Sequence, residues 1–405
     1  MAPLRITFRV LLAVLSLSLL ATGCLSDPAE PTIAPGSTPL PGTAIALPTS
    51  TPAPLASPTL SRASWLPPLL DPGPPGLVAP ALFFLHGPDA WLIDGDLAAR
   101  QVTEQRRVRA VETVPGAPSA AVLLLESAGG RETEEVRVID ADGNVSEPLY
   151  GPEIVGDPAG NPRVRLMRWS PDGQRLALVR EDNSIWLTTA AETGTQIELP
   201  QAVSSIEDVR WDPSGTALAI LHRAQGNAGV LRLLPVDGDG SFDLLPLGSF
   251  GAVCWPPDRG RLVVSEDRSA GRNPNAGSLF AVEADGSGRE LLIGAGEFGP
   301  AIRIGLLQAS PDGTQLAFTV EAPDTSGDFR FQALYVHELA SGVRRRLEVA
   351  SGYAVTDLWW FERGLAWRAL DPAEGSRYSG VEPFVIEFDD VESGTSHLLY
   401  TSDGT

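Results

Sequence analysis

The chain has 405 residues, 43% of them hydrophobic, enough for the core of one large repeat domain or two ordinary ones. Its 51 acidic residues outweigh 30 basic ones, and the net charge of −21 argues against a nucleic-acid backbone as partner, since phosphate binding needs clustered cations. Arg fills every one of the Lys-or-Arg positions; without Lys, Schiff-base chemistry and a P-loop lysine are excluded.

The first element is a targeting signal. "MAPLRITFRVLLAVLSLSLLATGC" places Arg5 and Arg9 before an apolar run from Val10 to Leu20, followed by small residues. This is the layout of a secretory signal peptide, too short to span a membrane comfortably. "LLATGC" also resembles a bacterial lipobox, in which Cys24 receives the lipid and becomes the mature N-terminus. The next stretch, rich in Pro, Thr, Ser and Ala, cannot bury enough surface to fold and reads as a semi-extended tether. The expected organisation is therefore a signal peptide over 1–23, lipidated Cys24 with its tether over 24–64, and a folded domain over 65–405.

The folded part is a repeat. "RWSPDGQRLALV" begins at Arg168, "RWDPSGTALAIL" at Arg210, "CWPPDRGRLVVS" at Cys254, "QASPDGTQLAFT" at Gln308 and "WWFERGLAWRA" at Trp359. The spacing of about 42 to 54 residues is that of a four-stranded propeller blade. Each unit reads as an apolar strand ending in Trp, a Pro/Asp/Gly turn, a second apolar strand, a variable loop, and third and fourth strands. Pro falls at the turn, where no ladder donor is lost, and Trp is expected to fill the gap between neighbouring sheets. Two weaker units precede these: "ALFFLHGPDAWLIDGDLAARQVTE" supplies a second and third strand, and the stretch from Ala110 to Tyr150 a full set. The sum is an all-β propeller of about seven blades, with six or eight the alternatives, and little helix. One blade cannot bury both faces, and a closed ring of blades can.

"WSPDGQRLALV", "SPDGTQLAF" and "SLFAVEADGSGRELL" resemble the repeats of TolB-type propellers of bacterial envelope proteins, over roughly Leu77 to Tyr400. The resemblance implies a propeller in the extracytoplasmic space that works through protein contacts. The separate N-terminal α/β domain of TolB has no counterpart here.

Chemistry is sparse. Cys254 sits in an apolar strand and reads as a buried hydrophobe, and Cys24 is committed to lipid, so no internal disulfide is expected. His86, His222, His337 and His397 lie in or beside strands without metal spacing. "DADGN" at Asp140 and "DGDGS" at Asp237 lack the acidic residue an EF-hand requires and read as turns. No G-x-S-x-G elbow is visible. The run Arg344 to Arg346 reads as a solvated strand end. No cofactor, metal or catalytic set is expected.

One constellation stands out. Aligned second strands place His86, Glu126, Arg180, His222 and Glu266 after the apolar tetrad, where they would form a partial polar ring on one face; Val320 and Ala369 break the pattern. The long loops on that face, including "EDRSAGRNPNAGS" with Arg268 and Arg272, suit a binding surface. The favoured reading is a monomeric, lipid-anchored envelope lipoprotein whose propeller binds protein partners without catalysis. The alternatives are a propeller enzyme acting on glycans or peptides through acids such as Glu126 and Glu266, and an accessory subunit of a neighbouring protein.

Overall fold

A computed structural model describes residues 82–402, except 95–97, 105–106, 115–116, 129, 156–160, 190–193, 198–204, 224–228, 238–241, 248–250, 258–259, 267–276, 295, 300–301, 326–328, 351, 362–363, 372–382 and 391–393. The segments expected to be signal peptide and tether, with Cys24, therefore lie outside the described residues, as do Arg268 and Arg272.

Twenty-seven strands and no helix are present among the described residues. Blade 1 comprises β1 (Leu82–His86), β2 (Asp89–Ile93) and β3 (Ala99–Gln101). Blade 2 comprises β4 (Val108–Thr113), β5 (Ser119–Ala128), β6 (Arg131–Asp140) and β7 (Tyr150–Val155). Blade 3 comprises β8 (Val164–Trp169), β9 (Arg175–Arg180), β10 (Ile185–Thr189) and β11 (Thr195–Ile197). Blade 4 comprises β12 (Ser205–Trp211), β13 (Ala217–Arg223), β14 (Gly229–Pro235) and β15 (Phe242–Leu247). Blade 5 comprises β16 (Val253–Cys254), β17 (Arg261–Glu266), β18 (Ser278–Glu283) and β19 (Glu290–Ile293). Blade 6 comprises β20 (Arg303–Ala309), β21 (Gln315–Pro323), β22 (Phe329–Glu338) and β23 (Arg344–Leu347). Blade 7 comprises β24 (Ala354–Phe361), β25 (Gly364–Leu370), β26 (Phe384–Asp390) and β27 (Thr395–Thr401). Every blade is an antiparallel meander in sequence order, and the molecule is a seven-bladed β-propeller.

The core is divided among the seams. Leu176 and Leu178 of β9 pack with Ala121 and Leu123 of blade 2, while Ala177 and Val179, on the opposite side of the same strand, pack with Ile206 and Val209 of blade 4. Period-2 alternation thus delivers one apolar face to each neighbour, and continuous apolar runs such as "LALV" are the consequence. The same arrangement recurs around the ring, and Leu82, Phe84 and Ile93 of blade 1 close it against Phe361, Phe384 and Phe388 of blade 7.

The inner strands depart from simple alternation. In β4, β8, β12, β20 and β24 the register slips near the strand start, for example between Val164 and Leu166 opposite β9. A bulge inserts one extra residue and re-aims the side chains beyond it. Residues five and two positions before the strand-end Trp therefore face the same seam, although an odd spacing would otherwise part them. Val164, Met167 and Trp169 all pack on blade 2; Ile206, Val209 and Trp211 all pack on blade 3.

The turns between first and second strands explain the "SPDG" signature. The Ser170 hydroxyl donates to Asp172 Oδ1 (2.5 Å) and accepts from the Arg175 amide (2.9 Å), while Asp172 Oδ1 accepts from the Gln174 amide (3.0 Å). Ser310 and Asp312 repeat the pattern with Thr314 and Gln315. Gly173 (φ 66°) and Gly313 (φ 67°) hold the left-handed conformation that the turn demands. Hydrogen bonds from Ser170 and then Gln174 hold the Asp172 carboxyl below the usual range.

The arginine run departs from expectation. Arg344–Leu347 forms the outer strand β23, and Arg345 bonds Asp389 of blade 7 (Nη1 to Oδ1 3.0 Å), a carboxylate only 1% exposed. Arg344 pairs with Glu297. Two of the three cations are spent on ion pairs, one of them reaching across a seam to the next blade.

Candidate functional site

Each inner strand ends beside the central channel, and there the strand-end side chains converge. The penultimate position is Glu112, Arg168, Arg210, Cys254, Gln308 or Trp359 in successive blades; the next is Thr113, Trp169, Trp211, Trp255, Ala309 or Trp360. The register against Ala120, Leu176, Leu218, Leu316 and Leu365 fixes this equivalence in the five blades where the strand-end residue is paired. The twelve strand-end residues line one cavity of about 770 Å³ on the face carrying the "SPDG"-type turns. Pro171, Pro257 and Pro311 stand exposed at its rim, and Leu82, Val114 and Phe361 complete the apolar wall.

The indoles are held by a repeated hydrogen bond. Trp169 Nε1 donates to the Glu112 carbonyl (3.2 Å), Trp211 Nε1 to the Arg168 carbonyl (2.9 Å) and Trp360 Nε1 to the Gln308 carbonyl (3.3 Å). In each case the acceptor is the penultimate residue of the preceding blade. Each of these three Trp residues therefore fills a seam, as the sequence led us to expect, and also clips its blade to the one before. Its remaining ring surface forms the cavity wall.

The polar floor is internally balanced. Arg168 lies between Glu112 (3.4 Å) and Asp208 (3.4 Å), and Arg210 pairs with Asp208 (2.9 Å). Burial pushes the Glu112 carboxyl above its ordinary range, with Arg168 and then Arg210 pulling the other way. Burial works against the charge on Arg168, but Glu112 and Asp208 more than offset it and raise its pKa. The arrangement is a rigid floor of matched charges under an aromatic mouth. Cys254 in the wall is 4% exposed, and burial drives its thiol up to about 12, so it carries no thiolate at neutral pH. Among the described residues no group of His, Cys, Asp and Glu is placed to hold a metal ion.

The polar set expected at the second-strand ends lies at the other end of those strands. His86 enters the seam with blade 7, where its Nδ1 meets the Tyr400 hydroxyl (2.6 Å). Arg180 is 5% exposed, donates to the Pro162 carbonyl (3.0 Å) and lies over the Trp186 ring. His222 is buried, with Nδ1 against the Arg223 carbonyl. Glu266 is buried and paired with Arg289 of its own blade. Glu126 is exposed, and its alignment needs correction: Leu124 pairs with Val108 as Arg180 pairs with Val164, so Leu124 is the equivalent position and Glu126 lies two residues beyond it on a longer strand. The buried members are thus distributed among separate blades, and Glu126 and Glu266 belong to blades 2 and 5. The cavity at the opposite end was missed because the Trp residues were read only as seam fillers.

No family model and no curated protein matches the chain. Solved structures do. An oligogalacturonate lyase in complex with manganese is 11% identical over 80% of this chain and 85% of its own, with a TM-score of 0.53. A protein described as a TolB from Agrobacterium tumefaciens is 16% identical over 64% of this chain and 84% of its own (TM-score 0.45). Dipeptidyl peptidase 4 of Porphyromonas gingivalis is 14% identical over 80% of this chain and 53% of its own (TM-score 0.44). At such identities the likeness is one of fold, and the class established is the β-propeller.

Proposed function

We propose that the protein is a lipid-anchored, extracytoplasmic recognition module that binds a protein partner through the aromatic mouth on the turn face. The observation that supports this reading is the convergence of Trp169, Trp211, Trp255, Trp359 and Trp360 on one open cavity rimmed by exposed prolines. Trp supplies rigid contact area at low entropic cost and dominates binding hot spots. The floor of matched charges orients a ligand without presenting a reactive group. Anchoring rests on the lipobox: Cys24 carries the lipid, which contributes about 0.8 kcal/mol per buried methylene, so several acyl chains hold the protein at the membrane.

Two measurements test the reading. A photo-reactive residue in place of the rim Pro257 should cross-link a discrete protein in intact cells, while the same probe at Glu126 should not. Labelling at Glu126 alone moves the partner to the other face. Cys24→Ser should shift the protein from the membrane to the soluble fraction after export; retention with the signal peptide removed rules out the lipid anchor.

A further inference from the structure

The charges that face the mouth are only part of the floor. Among the described residues the charged side chains that line the cavity are Glu112, Arg168 and Arg210. Asp208 and Asp357 act on this set electrostatically but do not line it. The tier that a ligand meets therefore holds two guanidiniums against one carboxylate, in a chain whose net charge is −21. The other residues of that tier, Cys254, Gln308 and Trp359, carry no charge at neutral pH.

The two guanidiniums differ in what they hold. Arg210 is committed: its Nε and Nη2 both meet Asp208 Oδ2, at 3.0 and 2.9 Å. The other oxygen of Asp208 accepts from the Val209 amide at 2.9 Å. Arg168 is under-used. Its Nη1 donates to the Met167 carbonyl at 2.9 Å, but the Glu112 and Asp208 oxygens stand off at 3.4 Å, and its Nε has no hydrogen-bond partner. A guanidinium carries five N–H donors in a planar fork that matches a carboxylate. Of the two acids beside Arg168, Glu112 is the one whose charge burial disfavours, so it is the more readily displaced.

Arg168 is also held where an incoming group can reach it. Its side chain is 26% exposed. Its backbone is fixed by pairing with Ala177 and by the Trp211 indole on its carbonyl. One residue nearer the mouth stand Trp169, Trp211 and Trp255, so a ligand passes the indoles before it meets the guanidinium. A carboxylate on a short side chain would draw its own main chain into that apolar wall and leave amides unpaired there. A chain end leads with its carboxylate and keeps the amides behind it towards solvent.

We propose that the mouth captures the C-terminus of its partner polypeptide, with the terminal α-carboxylate on Arg168 and an apolar last side chain against Trp169, Trp211 and Trp255. The inference rests on the reading of this mouth as a protein-binding site and adds which part of the partner enters it. The carboxylate takes the place of Glu112 on the Arg168 fork, while Arg210, held by Asp208, adds its charge from the neighbouring blade. The surrounding indoles keep water from the pair, which strengthens it relative to an ion pair on an open surface.

Peptides give the test on the full-length protein, read by its indole fluorescence. N-acetylated peptides ending in Ala-Ala-Phe or Ala-Ala-Leu should bind about tenfold or more tightly as free acids than as C-terminal amides. Arg168→Gln should abolish that preference, and Arg168→Lys, which keeps the charge without the fork, should restore part of it. Equal binding of acid and amide to the unmutated protein overturns the inference, whether or not either variant folds. So does a preference for the acid that survives in folded Arg168→Gln. An amidated peptide with an Asp near its end that binds as well as the free acid also overturns it, and assigns the site to a side-chain carboxylate. If no peptide binds while the Pro257 probe still captures a protein, the C-terminus is ruled out and the protein-binding reading stands; if both fail, both fall.

Discussion

Tyr400 and His86, 314 residues apart in sequence, meet at 2.6 Å between the phenol oxygen and imidazole Nδ1. Around them Phe84, Trp91 and Phe384 form one aromatic cluster, with His86 edge-on to Phe384 at 5.3 Å. The contact joins the first described strand to the last, β1 to β27. Replacing Tyr400 by Phe keeps the packing and deletes the hydrogen bond. The expected cost is about 1 kcal/mol, read as a shift in the urea midpoint with the m-value unchanged.

The imidazole also sets a pH dependence. Burial, and then the nearby Arg368, lower the His86 pKa below 6.5. The unfolded chain therefore takes up the proton first, so the stabilisation is complete above pH 6.5 and is lost as pH falls towards the folded value. His337 shifts in the same direction, through burial and then Arg344. His86→Phe should reduce, but not abolish, the loss of stability between pH 7.5 and 5.5.

Glu387 has the opposite sign. It lies in β26, is 8% exposed, and burial raises its carboxyl to about 7, with the nearby Trp367 indole pulling the other way. The folded protein holds this proton where the unfolded chain releases it, so stability is complete below the unfolded pKa and is lost as pH rises through 7. Glu387→Gln should stabilise at pH 8 by on the order of 2–3 kcal/mol, with the gain fading as pH falls towards 4; denaturant titrations of both proteins across that range give the comparison.

Trp211 carries two separable contributions, its buried ring and its hydrogen bond to Arg168. Trp211→Ala should cost on the order of 3–5 kcal/mol. Trp211→Phe retains most of the ring area and leaves the Arg168 carbonyl without its donor, for about 1–2 kcal/mol. Thermal melts of the two variants should differ in that proportion; equal losses would mean that the indole N–H is the whole of the effect.

Much of the ring was legible in the sequence because the unit that repeats is local. A Trp, a Ser-Pro-Asp-Gly turn and an apolar tetrad are neighbours in the chain, and their geometry is set by hydrogen bonds within a few residues of Ser170 or Ser310. Features that depend on register escaped. Glu126 was placed with Arg180 because both come after an apolar tetrad, yet β5 runs on to Ala128 and carries Glu126 past the equivalent position. The bulge in the inner strands has no composition signature of its own, so the shared facing of Val164 and Met167 could not be read from alternation. The aromatic mouth was hidden for a similar reason: a Trp at a strand end reads as core, and only the convergence of successive inner strands shows that the core ends in an opening. Strand β3, the outer strand of blade 1, is three residues long and offered no pattern to detect.

Six of the seven seams are crossed by the polypeptide itself, which passes from each blade's outer strand to the next blade's inner strand. Between blades 7 and 1 the described chain makes no such crossing, and side-chain packing, with the aromatic cluster around Tyr400 at its centre, does what peptide bonds help to do elsewhere. Mechanically the ring is a bracelet with one clasp. A load applied to the two ends of the domain would be borne first at that clasp, and an opened ring would remain a linked arc of blades, able to close again by re-seating a handful of aromatic rings.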